Sequence, residues 1–198
     1  MITKTMLSEK LKNYHIILAS KSPRRQLLLK GLDIPFEIKI KEVEETFPLH
    51  LKREDIALFL CELKAAAFDD ELDDKTLVIT ADTIVWMNEQ ALNKPKDYND
   101  AVNILTQLSG NMHEVITGVC LKTKEKTCSF YALTKVFFKK LSQEDIEYYV
   151  THYKPYDKAG AYGAQEWIGY VAIERIEGSY FNVMGLPTRL LYEELLKF

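Results

Sequence analysis

Short apolar segments typical of β-strands alternate along this chain with segments of helical periodicity, and this alternation constrains the fold most strongly. It is characteristic of an α/β domain in which helices cover a β-sheet. The strand candidates are residues 15–20, 36–40, 77–86, 114–123, 128–140, 170–175 and 179–183. The helix candidates are residues 23–31, 54–69, 98–108, 143–152 and 188–197. We therefore predict an α/β protein.

Local signals support the boundaries of several predicted helices. Ser22 and Pro23 place an N-cap and an N1 proline at the start of the first helix, and Gly31 is a suitable place for it to end. Asp97 and Ser142 each precede an acidic residue three positions later, as in a capping box.

Two further elements follow from local patterns. Segments 114–123 and 128–140 flank the short polar stretch KEKT and predict a β-hairpin. Leu7, Leu11 and Tyr14 have helical spacing and predict a short amphipathic segment before the first strand.

The composition is that of an ordinary soluble globular protein. Of 198 residues, 47% are hydrophobic and 28% are charged, and the formal net charge is −3. This balance suggests neither a nucleic-acid nor a membrane partner, and no apolar run approaches the roughly 20 residues of a membrane span. Cys61, Cys120 and Cys128 form no close pair in the sequence, which fits a reducing compartment and gives neither a zinc site nor a disulfide framework. The amino terminus lacks a hydrophobic stretch of signal-peptide length, and we expect a cytoplasmic protein.

Several common site motifs are absent from the sequence. It contains no Walker-type phosphate loop, no G-x-G-x-x-G, no H-E-x-x-H and no G-x-S-x-G. The four histidines, His15, His50, His113 and His152, are scattered, and each is interpreted as a surface or core residue. Chemistry must therefore be carried by carboxylates, lysines and arginines, with a metal ion as a further possibility.

Two arginines stand where the helix dipole disfavours them. Arg24 and Arg25 lie in the first turn of a predicted helix, the end that carries a partial positive charge. That turn presents N–H groups that bind anions, while Ser20 and Ser22 add hydroxyl groups and Lys21 adds charge. Arginine binds phosphate oxygens through paired hydrogen bonds. The pattern indicates a phosphate site, with a solvated basic turn or a Ser-Pro phosphorylation site as alternatives.

Acidic residues form the second candidate group. Asp82 interrupts the apolar, β-branched run at 77–86, so it must be paired, cap a bulge or coordinate a cation. A structural Asp bonded to backbone amides is the alternative. Glu42, Glu44 and Glu45 form either a solvated loop or a partner of Asp82 around Mg²⁺, which prefers oxygen ligands.

Three more residues are candidates from their surroundings. Lys64 lies in a strongly apolar helix and Lys94 lies between a strand and a helix cap, and each taken singly resembles an exposed or snorkelling lysine. The side chain of Gln165 can donate and accept hydrogen bonds, as reading a base edge requires. Nearby glycines allow close approach to a ligand, or merely bends between short strands: Gly160, Gly163 and Gly169.

Six ordered motifs together resemble the Maf family of nucleotide pyrophosphatases. They read LASKSPRR, ADT, NKPKD, LSGNMHEVITG, DKAGAYGAQ and IEGSYFNVMGLP, and the resemblance extends from about residue 16 to the carboxyl terminus. It implies one domain over residues 1–198 with residues 1–15 as an extension. The implied fold has two lobes, a long mixed β-sheet with helices on its faces, and a deep central cleft, similar to inosine-triphosphate pyrophosphatases.

The resemblance also implies an activity and its residues. The expected reaction is hydrolysis of a nucleoside triphosphate to the monophosphate and pyrophosphate with a divalent cation, Mg²⁺ or Mn²⁺. Asp82 is implied as the catalytic acidic residue, acting as general base, metal ligand or both, with Glu45 close to the metal and Glu44 as an alternative. The implied phosphate-binding residues are Ser20, Arg24, Arg25, Lys64 and Lys94.

Three positions resemble the subgroup that acts on dTTP and UTP. These are Arg24, Thr83 and Gln165, where the subgroup acting on 7-methyl-GTP tends to carry Trp, Gln and Glu. Trp167, beside the Gln165 loop, could alter the base preference. The resemblance suggests a homodimer.

Two other functions remain open. One is a non-catalytic nucleotide-binding regulator of cell division, and the other is a purine-directed enzyme acting on ITP or XTP. A normal or a modified pyrimidine nucleotide fits the favoured interpretation.

Overall fold

The computed structural model describes residues 5–198, which form two compact units. The first comprises residues 5–82, Thr117–Ala132 and Gly185–Phe198. The second comprises Thr83–Ile116 and Leu133–Met184. The predicted amphipathic segment appears in the first unit as helix α1, Met6–Lys10, with Leu7 and Leu11 buried. Residues 1–4 of that segment lie outside the described residues.

Seven strands form one mixed β-sheet, as expected of the predicted α/β class. Their order is β2-β1-β3-β5-β6-β7, and β4 also pairs with β3. β1 is parallel to both β2 and β3, whereas β4 is antiparallel to β3 and β7 is antiparallel to β6. The strands are β1 His15–Leu18, β2 Glu37–Ile38, β3 Thr76–Met87, β4 Gln90–Leu92, β5 Met112–Lys122, β6 Thr127–Phe138 and β7 Ile173–Glu177.

Helices flank the sheet, and five of them match predicted helices closely. The others are the short α1, α6 and α7. Asp97 and Ser142 cap α4 and α5 as predicted, each accepting a hydrogen bond from the N–H group three residues later. The helices after α1 are α2 Pro23–Lys30, α3 Glu54–Ala66, α4 Tyr98–Leu108, α5 Gln143–Tyr153, α6 Trp167–Ala172, α7 Tyr180–Val183 and α8 Thr188–Leu195.

One predicted strand begins at the wrong residue, and a second predicted strand is wrong. Residues 170–172 end α6, and the strand β7 begins only at Ile173. Residues 180–183 form α7, because the Ser179 side chain accepts the N–H of Asn182 and so starts a helix. Short apolar runs fit a buried helix as well as a strand, and for residues 180–183 the Ser179 cap favours the helix.

In the first unit, α3 packs closely on β3 and β5. The Thr80 hydroxyl of β3 donates to the Cys61 carbonyl oxygen of α3 at 2.6 Å. On β5, a Cβ added to Gly118 would lie 2.4 Å from the Ala57 carbonyl oxygen, so only glycine permits this approach. These contacts fix the position of α3 and therefore of Lys64 in its last turn.

In the second unit, α4, α5 and α6 share an apolar core. Its buried side chains include Leu105 and Leu108 of α4, Tyr149 and Val150 of α5, and Ile168 of α6. This core holds the segment between α5 and α6, which contains Gln165.

Candidate active site

The chain turns tightly around Ser20 before α2 begins. The Ser20 Oγ accepts the Ser22 N–H at 3.2 Å, and the Ser20 carbonyl oxygen accepts the Gln26 side-chain amide at 3.1 Å. Ser22 occupies the predicted N-cap position, but its side chain makes no capping hydrogen bond, which corrects that part of the prediction. The Ser20 hydroxyl is buried and can still donate its proton to an anion.

Arg25 is held at the start of α2 by the last segment of the first unit. Its Nε donates to the Gly185 carbonyl oxygen at 2.8 Å. Burial lowers the pKa of Arg25 from its usual value, the charges of Asp82 and Glu45 oppose this shift, and the neighbouring Arg24 charge adds to it. Two guanidinium groups and two carboxylates therefore interact in one region of the first unit.

Lys64 joins two of the predicted acidic residues. Its Nζ donates to Asp82 Oδ1 and lies 2.9 Å from Glu45 Oε1. The Lys64 and Asp82 side chains are 14% and 12% exposed, so this charge pair is largely shielded from water. Asp82 is thus paired, as its position in an apolar strand required. We call these three residues the Lys64 cluster.

The acidic residues after β2 divide between two partners. Glu42 pairs with Lys21 at 2.6 Å, and both side chains are largely exposed. Glu45 joins the Lys64 cluster, and Glu44 is exposed. Of the alternatives that the sequence left open, Glu45 is therefore the one placed beside the Asp82 partner.

The Lys64 cluster fits a divalent cation with few protein ligands. Asp82 and Glu45 already share one cationic group, and carboxylate oxygens are the ligands that Mg²⁺ prefers. Magnesium commonly binds one or two carboxylates together with water and substrate phosphates. Within residues 5–198, no group of three or more His, Cys, Asp and Glu residues could hold a metal ion.

The remaining predicted residues belong to the second unit. Thr83 follows Asp82 on β3 and is half-buried. Lys94 is exposed in the connection between β4 and α4. Gln165 lies in a turn closed by a 3.0 Å hydrogen bond from the Glu166 N–H to the Gly163 carbonyl oxygen. This turn leads into α6 and does not join two short strands.

Two residues beside the Gln165 turn, Tyr149 and Lys158, were not predicted from the sequence. The Tyr149 hydroxyl, on α5, contacts both the Gly163 N–H and the Glu166 carboxylate. Lys158 is almost completely buried, which is rare for a lysine, and it pairs with Asp157 and Glu166. The signal available in the sequence was Lys158 itself, since it stands within a run of small and apolar residues. Tyr149 carries no such signal, because a Tyr on a helix face resembles ordinary core.

His113 is a core histidine, which was one of its two interpretations. Its Nε2 lies 2.8 Å from the Tyr162 hydroxyl, and its ring packs edge-on against Phe138 and Tyr162. Burial lowers the pKa of His113 to about 3. The imidazole is therefore neutral over the physiological pH range.

An α/β fold that gathers arginines, a lysine and two carboxylates in one region is typical of proteins that bind phosphorylated ligands. The family model described as "Maf-like protein" matches residues 15–198. The chain belongs to the Maf family. None of the helices in residues 5–198 combines the length and hydrophobicity that a membrane crossing requires.

Similar proteins are known from several bacteria. The dTTP/UTP pyrophosphatase of Flavobacterium johnsoniae is 55% identical over 96% of this chain and 98% of its own length. The protein of the same name from Phocaeicola vulgatus is 53% identical over the same shares. Among solved structures, the Staphylococcus aureus Ham1 protein aligns with a TM-score of 0.49 and 17% identity, over 92% of this chain and 98% of that one.

The neutral state of His113 predicts a specific acid sensitivity. An unfolded His113 binds a proton below pH 6.5, whereas the folded one does so only near pH 3. The free energy of unfolding therefore falls as the pH drops between these values, by about 1.4 kcal/mol per pH unit from this group. We expect the His113→Gln variant to lose stability less steeply between pH 6 and pH 4, measured by urea denaturation.

The exposed His152 provides the matched control. His152→Gln should keep the wild-type slope, because this imidazole lies at the surface of α5. Parallel stability profiles for wild type and His113→Gln would contradict the assignment of a neutral buried imidazole.

Proposed function

We propose that this chain hydrolyses dTTP and UTP to the nucleoside monophosphate and pyrophosphate, with the help of a divalent cation. The observation that carries the proposal is the Lys64 cluster, in which Lys64 pairs with both Asp82 and Glu45. Relatives at 53–55% identity over nearly the whole chain are named dTTP/UTP pyrophosphatases. Removal of non-canonical or excess nucleotides from the precursors of nucleic acids is the role that this activity would serve.

The start of α2 supplies the binding of the phosphates. Arg24 and Arg25 can pair with phosphate oxygens, and the Ser20 hydroxyl can donate one further hydrogen bond. The two guanidinium groups repel each other and oppose the helix dipole, so a bound polyanion removes an existing electrostatic penalty. Lys94 is a sequence-based candidate for an additional phosphate contact.

Asp82 and Lys64 have different roles at the reacting phosphate. Asp82 Oδ1 contacts Lys64, and we assign the second carboxylate oxygen to the attacking water, whose proton it accepts. Lys64 can stabilise negative charge that develops on the phosphate as pyrophosphate leaves. A cation held by Asp82 and Glu45 would supply charge neutralisation at the phosphates and a more acidic water.

The second unit supplies the candidates for base recognition. The Gln165 amide can donate to O4 of thymine or uracil and accept from N3–H, which is a complementary pair of hydrogen bonds. Thr83 and Arg24 are the other positions that the family resemblance associates with base preference. The proposed substrates share these base atoms, whether or not the base carries a 5-methyl group.

A substrate panel separates the proposed activity from its alternatives. We expect pyrophosphate release with dTTP and UTP, dependent on Mg²⁺ or Mn²⁺, and at least about tenfold lower kcat/KM with CTP, 7-methyl-GTP, ITP and XTP. ITP or XTP as the best substrate would favour a purine-directed enzyme. Binding of dTTP without metal-dependent product from any nucleotide would favour a non-catalytic regulator.

The role of Asp82 is tested by one substitution. We expect Asp82→Asn to lower kcat with dTTP by about 100-fold or more, because the amide cannot accept the proton of the attacking water. Circular dichroism and thermal unfolding would establish that the variant is folded.

Asp69→Asn is the matched control for Asp82. Asp69 pairs with Lys122 in the same unit, away from the Lys64 cluster, and its side chain is 59% exposed. This variant should keep wild-type turnover. Near-normal turnover in a folded Asp82→Asn protein would contradict the assignment.

A further inference from the structure

A buried polar network lies beneath the Gln165 turn. The Tyr149 hydroxyl accepts the Gly163 N–H at 3.0 Å and donates to the Glu166 carboxylate. The other Glu166 oxygen lies 3.1 Å from Lys158 Nζ, which also contacts Asp157 at 2.7 Å. One phenol thus joins the first residue of the turn to the last.

The network is constrained because Tyr149 and Lys158 are shielded from water. Tyr149 is completely buried and the Lys158 side chain is 9% exposed. Burial and the Glu166 carboxylate raise the pKa of Tyr149 above its usual value, so its hydroxyl remains a hydrogen-bond donor. Removing one member leaves buried polar groups without partners, which costs more than the net strength of the lost hydrogen bond.

Gln165 rests directly against this turn. A Cβ added to Gly163 would lie 2.8 Å from Gln165 Nε2 and 2.8 Å from the Glu166 carboxyl carbon. In residues 5–198, the buried Gln165 Oε1 accepts no hydrogen bond. The position of the Gln165 amide therefore depends on how the turn is held, because no hydrogen bond to its oxygen fixes it.

Orientation matters for an amide that distinguishes pyrimidines. Thymine and uracil present an acceptor at O4 and a donor at N3, whereas cytosine presents a donor at N4 and an acceptor at N3. An amide that rotates by half a turn exchanges its donor and acceptor and pairs equally well with cytosine. Selection for thymine therefore requires a fixed amide.

We propose that Tyr149, Glu166 and Lys158 form a positioning network that fixes Gln165 and thereby excludes cytosine nucleotides. The proposal rests on the proposed function, in which Gln165 contacts the base. These residues act through Gln165 and the Gly163 turn, and the network lies within the second unit, whereas the proposed hydrolytic residues Asp82 and Lys64 belong to the first.

The test compares dTTP with dCTP in the Tyr149→Phe variant. These substrates share sugar and phosphates, so the ratio of their kcat/KM values isolates base recognition. We expect the dTTP:dCTP ratio to fall at least tenfold, through a higher KM for dTTP and a gain with dCTP, while kcat for dTTP changes less than threefold. Tyr153→Phe is the matched control. The Tyr153 ring stacks on the Tyr149 ring with 5.0 Å between their centroids, and the hydrogen bonds of the network are made by the Tyr149 hydroxyl.

Two more variants separate positioning from folding. Gly163→Ala should reduce the same ratio, because the added Cβ displaces the Gln165 amide while Tyr149 remains intact. Glu166→Gln keeps an acceptor for the Tyr149 hydroxyl and should retain more selectivity than Glu166→Ala. If Tyr149→Phe fails to fold, the dTTP:dCTP ratio of the Gly163→Ala variant tests the positioning role.

The outcomes distinguish this inference from the proposed function. An unchanged dTTP:dCTP ratio in folded Tyr149→Phe and Gly163→Ala proteins overturns the positioning role, as does an equal loss of kcat with both nucleotides. In either case wild-type hydrolysis of dTTP leaves the proposed function in place. No hydrolysis of dTTP by wild type would reject the proposed function itself.

Discussion

The contact of Lys64 with both Asp82 and Glu45 is the interaction on which the rest of the first unit depends. It joins α3, β3 and the segment after β2, which are separated in sequence. A shielded carboxylate in an apolar strand is costly without a partner, so the fold must deliver a cation to it. The tight packing of α3 against β5 at Gly118 places Lys64 beside Asp82, because it fixes the helix that carries Lys64.

The charged residues at the start of α2 are arranged in a way that suits an anionic ligand. The two arginines at the start of this helix oppose the dipole and repel each other, while the charges of Asp82 and Glu45 attract Arg25. Arg25 is nevertheless held in place by the Gly185 carbonyl oxygen. A triphosphate bound beside both guanidinium groups would offset the repulsion between them.

The sequence allowed much of the fold to be predicted where local chemistry decides it. Capping at Asp97 and Ser142 and the apolar run of β3 gave correct elements. The start of the strand predicted at 170–175 and the strand predicted at 179–183 were wrong, because a short apolar run is ambiguous until its caps and neighbours are known. Asp82 and Lys64 could be named as candidates, but their pairing could not, and Tyr149 was missed because its role comes only from contacts distant in sequence.

Hydrolysis to dTMP and pyrophosphate can proceed by attack of water on the α- or the β-phosphorus, and we propose attack on the α-phosphorus. Hydrolysis of dTTP in ¹⁸O-labelled water, followed by ³¹P NMR of the products, tests it directly. We expect the label to enter dTMP and the released pyrophosphate to be unlabelled. Label in pyrophosphate, or release of inorganic phosphate with dTDP, would contradict it.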